Sequence, residues 1–75
     1  MSCTIHAWDF HGPRAEGTAR HFLEHLEGFC KTLALTGCEA GLESHGPGHH
    51  AVWCRTPAEA EAAIQRLRPR RSRPA

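Results

Sequence analysis

Between Ala19 and Leu33 the apolar side chains Ala19, Phe22, Leu23, Leu26, Phe29, Cys30 and Leu33 recur at three- and four-residue steps. Since 3.6 residues complete a helical turn, that spacing lines one side of an α-helix. A helix with one apolar side is marginal by itself in water, so the chain must supply a second layer to cover it. The helix is predicted to begin between Pro13 and Thr18, with Pro13 in its first turn or Thr18 as its cap. It should reach about Leu35, with Gly37 placed to end it. Arg20 with Glu24 and Glu27 with Lys31, each four residues apart, fall on the outer side.

The second layer is legible in two other stretches. Cys38 to Arg55 reads as a β-hairpin turning at Gly46-Pro47-Gly48. If His45 is set opposite His49, counting outward places Leu42 against Val52 and Ala40 against Cys54 on an apolar side. The reverse side then matches Glu39 with Arg55, a charge pair, and Gly41 with Trp53, whose indole covers the bare glycine backbone. Both sides make chemical sense in the same register, which argues for it. Thr4 to Phe10 reads as a strand, with Ile5 and Ala7 on one face and His6, Trp8 and Phe10 on the other. Thr56-Pro57-Ala58-Glu59 has the form of a capping box opening a second helix, with Ala60, Ala63, Ile64 and Leu67 as its apolar stripe and Pro69 beyond its end.

Strand, helix, strand, strand, helix is the order of an α+β domain. With a right-handed crossover and the third strand inserted between the first two, it predicts a ferredoxin-like split β-α-β-β-α two-layer sandwich. Such a domain has a three-stranded antiparallel sheet with two helices on one face, and it lacks the usual last strand. Residues 1–68 form this single domain; residues 69–75 are expected to be a disordered basic tail, because Pro69 and Pro74 bar a helix there. The missing strand leaves the outer edge of strand one open. Pairing with a second copy closes it, and so does folding back of the Arg-rich tail or of the Ser2-Cys3 end.

At 75 residues the chain buries only about 60% of the surface its unfolded form exposes, so a dimer or a metal is a natural source of added stability. Arg66, Arg68, Arg70, Arg71 and Arg73 hold five of the nine basic residues, whereas the chain up to Gln65 has four basic residues against eight acidic ones. Arg68, Arg70, Arg71 and Arg73 are therefore the candidate nucleic-acid contacts. No apolar run approaches the roughly 18 to 20 residues that span a bilayer, and Met1-Ser2-Cys3-Thr4 does not read as a leader, so the expectation is a cytoplasmic protein with no membrane partner. Cys30, Cys38 and Cys54 fall on apolar sides and are read as reduced core residues.

The candidate surfaces depend on which face strand one buries. If Ile5 and Ala7 face the helices, the free sheet face collects His6, Trp8, Phe10 and Trp53, an interface for a second copy or another protein. If the strand is flipped, Trp8 and Phe10 belong to the core. Seven histidines raise Zn, Cu or Ni as optional ligands, with no cofactor required; His45 and His49 share a face and His6 is the third candidate ligand. No catalytic residue is assigned: G-x-S-x-G, a phosphate loop and H-E-x-x-H are all absent. Pro47-Gly48-His49-His50-Ala51-Val52-Trp53-Cys54 and the helix after it resemble the third strand and second helix of an RNA-recognition-motif domain. The family's leading basic residue falls on Pro47 and its stacking aromatics on His49, Ala51 and Cys54, so the resemblance implies architecture without base stacking. The leading expectation is a non-catalytic homodimeric binding or assembly module. The alternatives are a transition-metal binder and an RNA contact through the tail.

Overall fold

A computed structural model describes residues 3–75; the expectations that rest on Met1 and Ser2 lie outside the described residues. The protein is a small α+β fold with a four-stranded antiparallel sheet and two helices. Strand β1 is Cys3–His11, helix α1 Ala15–Thr32, β2 Glu39–Ser44 and β3 His49–Pro57. A 3-10 turn, Ala58–Ala60, leads into the short helix α2, Glu61–Gln65, and β4 is Arg71–Pro74. The strand order is β2-β3-β1-β4. No helix among the described residues is long and apolar enough to cross a membrane.

The hairpin forms in the expected register, with Ala40 opposite Cys54, Leu42 opposite Val52, Gly41 opposite Trp53 and Glu39 opposite Arg55. The glycine at position 41 is required by packing. A β-carbon there would sit 2.9 Å from the Trp53 ring, closer than real side chains approach.

Strand β1 turns the opposite face to the helices from the one that would leave His6, Trp8 and Phe10 free. Trp8 is 5% exposed and His6 fully buried. Phe10 is half-buried against the core, its ring centroid 5.5 Å from that of Phe22, and Trp8 lies 5.0 Å from the same ring. The reason is area: an aromatic side chain buries roughly 150–250 Å², so sheltering Trp8 and Phe10 gains more than sheltering Ile5 and Ala7. The buried indole keeps its hydrogen bond by donating Nε1–H to the Leu67 carbonyl at 2.9 Å. Around Trp8 the core continues through Ala19, Leu26, Val52, Cys54 and Ile64.

Two further expectations are corrected. Within the stretch expected to be a tail, Arg71–Pro74 forms a fourth strand that pairs with β1, His6 lying opposite Ser72 and Ala7 opposite Arg71. The edge of strand one is thus closed within the chain, and the sheet has four strands rather than three. Thr56 caps no helix, because it belongs to β3. There it is buried on the helix side opposite Thr4, and its hydroxyl donates to the Cys54 carbonyl at 3.3 Å. The second helix is correspondingly shorter than its stripe predicts.

Helix α1 also stops early, and neither Thr18 nor Gly37 caps it. The Leu35 amide donates to the Cys30 carbonyl at 2.9 Å and the Ala34 amide to Lys31 at 3.1 Å, the paired bonds of a Schellman ending. Ala34 takes the left-handed position, φ 53°, which glycine usually fills, and Leu33 is left 42% exposed. An L-residue pays a steric cost at that φ that glycine does not. Ala34→Gly is therefore expected to raise stability by about 1 kcal/mol, or about 5 °C in Tm for a domain of this size. Thermal unfolding followed by circular dichroism checks this, and a lower Tm contradicts the assigned helix ending.

Candidate sheet-face site

Because both helices cover the side of the sheet that carries Trp8, the other side has no layer over it among the described residues. Its side chains form rows across the strands, fixed by the register. Read from β2 to β4, one row is Glu39, Arg55, Ile5, Arg73 and the next is Gly41, Trp53, Ala7, Arg71. Then come Glu43, Ala51, Asp9 and, at the hairpin end, His45, His49, His11, the first pair joined by the His45 amide to His49 carbonyl bond. Ile5, Ala7 and Trp53 make the floor of a trough of about 780 Å³, bounded by Glu39 and Glu43 on one side and by Arg71 and Arg73 on the other.

Asp9 organises one end of this face. Its carboxylate accepts two hydrogen bonds from Arg71, Nε and Nη2 each at 2.8 Å, and a third from His49 Nε2 at 2.9 Å. The Arg71 hydrogen bonds hold the Asp9 pKa down at about 2, from an ordinary 3.8; partial burial opposes the shift and His49 adds to it. The His49 ring stacks between His11 and His45, with centroids 4.3 and 4.7 Å away, and His45 Nε2 lies 3.4 Å from Glu43. Arg55 and Glu39 approach more loosely, at 3.5 Å, with both side chains largely exposed. Arg73 forms no ion pair among the described residues.

The sequence-derived candidates are divided between the two sides of the sheet. Trp53 is on the open face. His6, Trp8 and Phe10 are on the covered face, so they cannot serve with Trp53 as one interface. The metal candidates separate in the same way: His45 and His49 stack on the open side, whereas His6 lies beneath the sheet and cannot join them around one ion. Among the described residues no group of three or more His, Cys, Asp or Glu is arranged to hold a metal. Of the four arginines, Arg71 and Arg73 border the trough and Arg68 and Arg70 lie before β4, all exposed.

His6 has a different task. Facing the Glu61 carboxylate at 2.7 Å, Nε2–H donates; Nδ1 then accepts the Ser72 hydroxyl at 2.6 Å. A serine, an imidazole and a carboxylate in series have the connectivity of an activated nucleophile. Ser72 borders the trough with its hydroxyl turned to His6, whereas His6 and Glu61 do not line it, and the chain of bonds joins β1 to α2 and to β4. Burial raises Glu61, but the hydrogen bonds from Gln65 and His6 outweigh it and leave the carboxyl below its ordinary value. Cys30, Cys38 and Cys54 are free thiols on the helix side, each pushed up by burial, so they are poor nucleophiles at neutral pH.

Sequence reasoning missed Asp9 and Ser72, and it singled out Arg71 as a nucleic-acid contact rather than as the partner of Asp9. The available signal was the alternation in Arg71-Ser72-Arg73, which places one small hydroxyl on the side opposite two cations.

Asp9→Asn is expected to cost about 1 kcal/mol at pH 7, a modest figure because Arg71 is half exposed. The folded carboxyl is depressed, so its contribution is complete above the unfolded value and is lost as pH falls through the folded one. Urea unfolding of wild type and variant should therefore show a gap that closes between about pH 4 and about pH 2. A gap that stays constant with pH contradicts the ion pair.

No family model, curated protein or solved structure matches the chain, so its function is read from its own surfaces.

Proposed function

We propose that the protein is a non-catalytic homodimeric binding or assembly module, and that the uncovered sheet face is the surface through which it associates. One observation carries this reading. The face joins an apolar floor of Ile5, Ala7 and Trp53 to flanking charges that balance, with Asp9, Glu39 and Glu43 against Arg55, Arg71 and Arg73. An apolar centre with a polar rim is the usual anatomy of a protein interface. A polyanion such as RNA is better served by cations without interleaved carboxylates, and here Arg71 is already engaged by Asp9.

The element order, with strand order β2-β3-β1-β4, supports a ferredoxin-like reading made of two split β-α-β units. That plan keeps both helices on one side and leaves the other for a partner. Association through strand edges has less support. β4 is four residues long and ends in Pro74, and β2 carries Glu39 and Glu43 along a six-residue strand, features that blunt an edge.

Trp53 has the character of a hot spot, being large, half-buried and central. Trp53→Glu is expected to weaken dimerisation at least about tenfold, a change of about 1.4 kcal/mol, while the helix and sheet signals of circular dichroism persist. Ile5→Lys, a change on the same floor that leaves the indole over Gly41, should act in the same direction. Sedimentation equilibrium across a wide concentration range reads both. A wild-type protein that stays monomeric, or folded variants that dimerise as well as wild type, would overturn the proposal.

A further inference from the structure

The charges on the uncovered face are sorted by strand, and the sorting determines how a second copy fits. Glu39 and Glu43 project from β2 at one margin, whereas Arg71 and Arg73 project from β4 at the other. Two identical sheet faces packed with their strands aligned are related by a twofold axis in the plane between them, and that axis runs either across the strands or along them. Across the strands, each strand lies over its own copy. Carboxylates then face carboxylates along β2 and guanidiniums face guanidiniums along β4, which is unfavourable at both margins. Along the strands, β2 lies over β4 of the second copy and β3 lies over its β1. Opposite charges now meet at both margins.

The middle of the face fits the same choice. Rotation about an axis along the strands keeps each row opposite itself in reversed order. In the row Gly41, Trp53, Ala7, Arg71, the indole of one copy comes to stand against Ala7 of the other, the largest side chain of the floor against the smallest. Gly41, which lets the indole lie low on β2, comes to face Arg71 of the second copy, and a guanidinium beside an indole is a favourable neighbour. In the row Glu39, Arg55, Ile5, Arg73, the margins become Glu39 against Arg73 of the second copy. Arg73 is the cation of this face that has no carboxylate of its own within the described chain, and Glu39 is held only loosely by Arg55.

Resting on the homodimer reading above, we infer that two copies stack open face to open face about a twofold axis running along the strands, with Glu39 of each against Arg73 of the other and Trp53 of each against Ala7 of the other. The sandwich so formed has its sheets about 10 Å apart with nearly aligned strands, and its helices outermost.

Charge reversal tests the arrangement. Arg73→Glu and Glu39→Arg, both at exposed positions, should each raise the dimer Kd about tenfold, since every substitution counts twice in a twofold interface. The protein carrying both reversals should return to within about threefold of wild type. Arg73→Gln, which removes the charge without reversing it, should give a smaller shift. Sedimentation equilibrium reads Kd, and circular dichroism confirms that each variant is folded. If the wild type dimerises but the single reversals leave Kd unchanged, or the double reversal binds no better than the singles, this arrangement is wrong while the homodimer reading stands. A wild type that remains monomeric throughout overturns both.

Discussion

The burial of Trp8 is the interaction on which the rest of the structure depends. Strand side chains alternate, so once Trp8 faces the helices, His6 and Phe10 must follow it and Ile5, Ala7, Asp9 and His11 must face outward. The aromatic rings gain from this; the imidazole does not, because a buried polar group without partners costs about 1–3 kcal/mol. Its two nitrogens are therefore matched, Nε2 by Glu61 and Nδ1 by Ser72. No buried side-chain nitrogen or oxygen among the described residues is left without a partner. Serving the imidazole in this way brings α2 and β4 to β1, and the Trp8 indole holds the turn that follows α2 through the Leu67 carbonyl.

The docking of β4 then sets the character of the opposite side. With Ser72 turned in toward His6, alternation turns Arg71 and Arg73 out, and they become the basic margin of the open face. Arg71 closes on Asp9, a residue that is outside only because Trp8 is inside. The covered face and the open face are thus two consequences of one choice of strand orientation. The histidine row at the hairpin end follows from it too, since His11 shares the parity of Asp9 and meets His49 across β3.

Much of this was legible in the residues. The hairpin could be read to the residue pair, because its two sides supplied independent checks: Leu42 with Val52 on one, Glu39 with Arg55 and Gly41 with Trp53 on the other. Helix α1 was equally plain in its spacing, apart from its final turn, where Ala34 occupies a position that glycine normally signals. The orientation of β1 was left open, since each of its faces contains apolar residues; the area of Trp8 and Phe10 favours the observed one, but it also buries His6, whose partners Glu61 and Ser72 are far away in the chain. β4 was hidden for a related reason. Arg71-Ser72-Arg73-Pro74 has no apolar residue that would announce a strand, and what holds it are its backbone pairing with β1 and polar bonds to His6 and Asp9 that become visible only in three dimensions. Thr56 misled because its spacing to Glu59 suits a helix cap equally well, whereas burial beside Cys54 gives its hydroxyl another acceptor.

The most direct test of the account is an isotope-filtered NOE spectrum on a sample mixing labelled and unlabelled protein, which records only contacts between different copies. The account predicts cross-peaks from the Trp53 indole protons of one copy to the Ala7 methyl of the other. Inter-copy peaks confined to residues of the β2 or β4 edges, or a concentrated sample with none at all, would contradict it.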